Sequence, residues 1–192
     1  HRVQNGVGMK ATEKALVIAL TAVAYTILYL LNSKFDALFS LTDHVSWVFL
    51  PSGLMLLLVL LFVELGAIGI VLASLWISSQ YQTNPDWFVL VGGSLISGLG
   101  PLIARKICVD RLLLDVNLSS LTTTTLLTVA IICSVISAVL HQLLFTWRGL
   151  TEDFIEHVAT MAVGNFIGTI IVLYGAKLVL HYLMPQPKTT KE

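Results

Sequence analysis

Apolar residues fall along this chain in long unbroken runs separated by short polar segments. That is neither the alternation of a half-buried strand nor the one-sided stripe of a soluble amphipathic helix. The runs predict six helices, at about Glu13–Leu31, Val48–Val63, Ala67–Ser79, Trp87–Ala104, Ser120–Trp147 and Phe154–Leu183. Between them lie Asn32–Ser46 (with Lys34, Asp36, Asp43 and His44), Gln80–Asp86 around Asn84-Pro85, Arg105–Ser119, and Arg148–Asp153. The third of these carries the most charge, and its segment Arg111–Leu118 suits an interface-lying strip. Pro185 and Pro187 end the last helix.

The densest stretch is Trp47–Trp76, 30 residues whose one charge is Glu64. It reads as two short hydrophobic helices turning at Glu64-Leu65-Gly66, with Pro51-Ser52-Gly53 loosening the first. At 16 and 13 residues they would be roughly 24 and 20 Å long, against a hydrocarbon core of about 30 Å. A spanning pair and a re-entrant hairpin both fit, since each returns the chain to the same side. Broken backbone at membrane depth is tolerated only where protein or a water-filled cavity covers it.

Composition agrees with an integral membrane protein. Of 192 residues 56% are hydrophobic and 11% charged, where a soluble domain has about 25% charged, and mean hydropathy is +0.88. The expected fold is all-α: a polytopic bundle of about six transmembrane helices forming one domain over residues 9–184, followed by a disordered cytoplasmic tail at 185–192. His1–Gly8 reads as a remnant of recombinant expression, with Met9-Lys10 as the native start. A signal peptide is the rival reading of the 17-residue run Ala15–Leu31. Leu31-Asn-Ser-Lys-Phe35 offers no small-x-small cleavage site, which favours a retained helix. Net charge is +0, which argues against nucleic acid as a partner. Cys108 and Cys133 read as free thiols.

Lysine and arginine set the orientation. With the N-terminus inside, Lys10, Lys14, Arg105, Lys106, Arg111, Lys177, Lys188 and Lys191 face the cytoplasm, and only Lys34 and Arg148 face out. Six crossings put both termini inside. Trp47, Trp76, Trp87 and Trp147 then all fall at the outer interface, where indole rings are at home.

Catalytic signatures are absent from the sequence: it has no His-Glu-x-x-His, Gly-x-Ser-x-Gly, P-loop or Cys-x-x-Cys. The scattered histidines show no metal spacing, so neither a metal nor a cofactor is expected. The informative residues are polar groups inside apolar spans, which are costly in hydrocarbon and face protein or water. Ser52, His141, Gln142, His157 and Asn165 all fall in the outer half of the bundle and are the candidate ligand-binding residues. The competing reading is structural glue, with Asn165 bonding a neighbouring helix and the histidines meeting headgroups. Glu64 reads as a solvated turn residue. Gly93, Gly98, Gly164 and Gly168 have the small-residue spacing that lets helices approach.

Three short motifs, Phe49-Leu-Pro-Ser-Gly-Leu54, Glu64-Leu-Gly-Ala-Ile-Gly-Ile-Val-Leu-Ala-Ser74 and Gly164-Asn-Phe-Ile-Gly168, resemble the membrane-associated sensor (MASE-type) domain of bacterial signalling proteins. In that family a second proline stands where this chain has Leu50, and an aspartate where it has Asn165. No kinase or cyclic-nucleotide output domain follows Leu183. The resemblance implies an inner-membrane sensor without catalysis. The length, six helices and inside termini are also similar to the substrate-binding S components of energy-coupling-factor transporters. Three functions are therefore carried forward. The first is a non-enzymatic, sensor-type protein of the bacterial inner membrane, acting as a small ligand-binding or accessory subunit. The others are a transporter substrate-binding subunit and a purely structural subunit. The expected partners are the lipid bilayer, a membrane protein or a second copy of the chain, and a small-molecule ligand.

Overall fold

A computed structural model describes residues 8–42, 45–81, 86–111 and 123–183. His44, Asn84-Pro85, the strip at 112–118 and the tail from 184 onward lie outside the described residues, as do residues 1–7. The described chain forms six helices: α1 (Ala11–Phe39), α2 (Leu50–Phe62), α3 (Glu64–Tyr81), α4 (Trp87–Arg111), α5 (Thr123–Trp147) and α6 (Phe154–Leu183). Two short strands, β1 (Ser40–Thr42) and β2 (Val45–Ser46), pair antiparallel just before α2. The fold is all-α in its body. Within the described residues, α1, α4, α5 and α6 are each long and apolar enough to cross a membrane, while α2 and α3 supply only shorter apolar segments.

Two helices outrun their apolar stretches. α1 continues past Leu31 to Phe39, and α4 continues past Ala104 to Arg111. An apolar run marks where side chains leave water, whereas a helix keeps bonding its own backbone after the side chains turn polar. Ser33 illustrates this, its Oγ donating to Leu30 O at 2.9 Å within the helix.

Pro51-Ser52-Gly53 opens α2 and does not break it. The proline falls in the first turn, where its missing N–H would have had no helical partner and its fixed φ suits the helix. The turn into α3 also comes earlier than expected, at the single residue Val63 with φ 51° and ψ −115°. Its N–H donates to Val59 O at 3.0 Å and its carbonyl accepts from Ala67 N at 3.1 Å. A β-branched residue at positive φ is strained, and bonds on both sides hold it there. Glu64 is exposed at the start of α3.

Helices α1, α3, α4, α5 and α6 pack each against the next in that order, and α2 touches all five. α2 is therefore the centre of the bundle. One of its sides joins Met55, Leu58 and Val59 to Tyr25, Ile70 and Ile77, and the other joins Leu56 and Leu60 to Ala104, Val129 and Cys133. The outside is apolar too, with Leu16, Leu20, Val23 and Ile27 exposed on α1 and Ile131 and Val135 exposed on α5. Such a surface suits hydrocarbon.

Candidate polar site at the start of α2

α2 is short because it starts deep. Phe49 N donates to Gly164 O at 3.1 Å, and Gly164 is ten residues into α6, about 15 Å from its beginning. The non-helical chain before α2 thus descends among the helices. Its exposed donors are met there, as buried backbone requires. Leu50 N donates to Asn32 Oδ1 at 2.9 Å, so a side chain of α1 takes the place of the cap that Phe49 does not provide.

Ser52 locks this start against α6. Its Oγ lies 2.6 Å from Asn165 O, 2.7 Å from Phe49 O and 3.1 Å from Thr169 Oγ1. Thr169 Oγ1 also donates to Asn165 O at 2.7 Å. Two glycines make the approach possible. A Cβ on Gly168 would overlap the Phe49 carbonyl, and one on Gly53 would come within 2.8 Å of Thr169 Cα. Ser52 and Asn165 do meet, but through the backbone carbonyl of Asn165 and not its carboxamide.

That carboxamide belongs to a second group, in the seam between α5 and α6. Asn165 is 2% exposed and Gln142 0%. Gln142 Nε2 donates to Met161 Sδ at 3.6 Å, a weak bond to a soft acceptor. Met161 is one turn beyond His157 and one turn before Asn165, so the three are stacked along α6. Asn165 Nδ2, Gln142 Oε1 and His157 Nδ1 are buried with no hydrogen-bond partner among the described residues. Burying such groups unpaired is costly.

His141 belongs to neither group. One residue along α5 is a rotation of about 100°, and this turns His141 towards α4. Its Nδ1 is 2.8 Å from Ser137 O and its Nε2 3.4 Å from Ser97 Oγ. Ser97 in turn donates to Gly93 O at 3.0 Å. The five candidate residues therefore divide three ways: Ser52 in the lock, Gln142, His157 and Asn165 in the seam, and His141 of α5 turned against α4. Asn32, Thr169, Met161 and Ser97 complete these contacts and were not singled out from sequence. Thr169 could have been, standing four residues after Asn165 on the same face.

Of the packing glycines, Gly98 faces α3, where an added Cβ would lie 2.7 Å from Ala67 O. Gly168 faces Phe49, and Gly164 offers its carbonyl there. Gly93 is not at a close approach, since a Cβ on it would meet nothing within 4 Å. Cys108 and Cys133 are buried and free. At the end of the bundle where α4 starts and α5 stops, Arg148 Nε donates to Asp86 Oδ2 at 2.7 Å, and Asp86 Oδ1 caps α4 through Phe88 N at 3.0 Å. The Arg148 hydrogen bond holds the Asp86 carboxyl below its usual range, helped by the backbone donors of Phe88 and Val89.

The fold and these groups define an all-α helix bundle with a polar seam inside an apolar frame, four of whose helices are long and apolar enough to cross a membrane. No known family matches the chain, and no curated protein or solved structure resembles it.

Proposed function

We propose that this chain is a non-enzymatic, multi-pass protein of the bacterial inner membrane, of sensor type, which binds a small molecule in the α5/α6 seam and reports to a membrane partner. One observation carries this reading. A buried donor, Asn165 Nδ2, and a buried acceptor, Gln142 Oε1, have no hydrogen-bond partner among the described residues, beside a lock in which the Leu50 N–H, the Ser52 and Thr169 hydroxyls and the Asn165 carbonyl are all bonded. Groups left open in so apolar a frame are where a ligand gains most. With both termini cytoplasmic, the seam lies in the outer half of the bundle.

A structural subunit is the second reading, favoured by the saturation of Ser52, Thr169 and Asn32, whose bonds serve packing alone. Native mass spectrometry of the protein released from its own membrane separates the two. The ligand-binding reading expects a retained small molecule that Asn165→Leu loses. A bare protein of unchanged stability in both forms favours the structural subunit. Topology is checked by cysteine labelling from outside the cell: Glu152→Cys should react and Glu13→Cys should not. Labelling of Glu64→Cys from inside would make α2 and α3 a spanning pair.

A further inference from the structure

We propose that the α5/α6 seam takes a neutral group that both donates and accepts a hydrogen bond, a primary carboxamide being the simplest, and rejects carboxylates and ammonium ions. This rests on the ligand-binding reading above and adds the chemical class of the ligand. The two open groups are complementary: Gln142 Oε1 accepts and Asn165 Nδ2 donates. The contact of Gln142 with Met161 sets its amide against α6, at the turn of that helix just before Asn165. His157 Nδ1, one turn to the other side of Met161, is a third buried polar atom with no partner among the described residues.

The same groups argue against charge. A carboxylate would set its oxygens against Gln142 Oε1, and an ammonium would set its protons against Asn165 Nδ2. Either would bring an unpaired charge into low dielectric. The nearest cation at this end of α5, Arg148, is already paired with Asp86. The Asn165 carbonyl cannot help a cation, because Ser52 and Thr169 occupy it. The side-chain amide nitrogen is therefore the open part of Asn165 among the described residues.

The test uses the full chain in lipid nanodiscs and an isosteric series: butyramide, butyrate and butylammonium at matched concentration and ionic strength. Unfolding is followed by tryptophan fluorescence, with wild type compared to Asn165→Leu and Gln142→Met. The expected result is a saturable rise in wild-type Tm with butyramide alone. Each substitution should weaken its apparent affinity about fivefold, the loss of one hydrogen bond. If one variant fails to fold, the other carries the comparison. An equal butyramide response in wild type and variants overturns the proposal, as does no saturable response to any probe. A butyrate or butylammonium response that the substitutions remove overturns the neutral class while leaving the ligand-binding reading intact. A bare protein in the mass spectrometer removes that reading itself.

Discussion

The lock at the start of α2 and the seam between α5 and α6 share residue Asn165, and they treat its two halves oppositely. In the lock its backbone carbonyl receives both the Ser52 and the Thr169 hydroxyls. In the seam its side-chain amide has no partner among the described residues. Both places are buried and both are surrounded by apolar side chains, so burial does not separate them. Satisfaction does. A saturated polar group in a dry bundle is a fastener, whereas an open one in the same surroundings is free energy held for something else.

The sharpest way to break this contrast is Gly168→Ala. The new methyl would meet the Phe49 carbonyl, which its bond from the Ser52 backbone N–H and the neighbouring Phe49–Gly164 bond hold in place. A loss of about 3 kcal/mol in detergent unfolding is expected, and a stability equal to wild type would mean that α2 does not seat there. Ser52→Ala comes next, at about 1–2 kcal/mol, because it leaves buried carbonyls short of a donor. Ser52→Thr tests the same site for volume, since it keeps the hydroxyl.

Asn165→Leu should behave differently, though it lies beside Ser52. It deletes an open amide and leaves the carbonyl of residue 165 in the lock, so stability should be unchanged or higher by up to about 1 kcal/mol. A loss as large as that of Ser52→Ala would show that the two regions are one. The smallest effect belongs to Asp86, whose exposed ion pair with Arg148 shows what a wet polar contact is worth here. Its carboxyl is held low by Arg148. The contribution is therefore present above the ordinary aspartate range and is lost as pH falls through the depressed folded value. The Tm gap between wild type and Asp86→Asn should be small at pH 7, begin to narrow near about pH 4, and close only as pH falls through the depressed folded value.

The helices were legible in the sequence because hydrocarbon demands long apolar runs. The run Phe154–Leu183 gives α6 with both ends as observed. The errors have a common cause. Apolarity reports contact with lipid or core, and it is silent on backbone, so α1 passes through Asn32 and Lys34 without ending. Pro51 looked like a break because its position within the helix was unknown. At a first turn the same residue is a start signal. For the site, the sequence shows which polar residues are immersed but not which atoms they offer. Ser52 and Asn165 meet, and only coordinates reveal that a backbone carbonyl makes the contact. His141 and Gln142 are adjacent in the chain and part company because a helix turns them apart.

The lock also carries a timetable. Ser52 cannot reach the Asn165 carbonyl until a residue 113 positions later has been made, roughly 5–20 s of synthesis at ordinary rates. Until then the central helix waits with its entrance unclosed by α6, its first-turn hydroxyl having only the Phe49 carbonyl three residues back to bond. α1 can cap it early through Asn32, but only the last helix closes it. A chain arrested after α5 should therefore remain a substrate for membrane quality control, however well its first five helices have inserted, and release of α6 should be the event that ends that susceptibility.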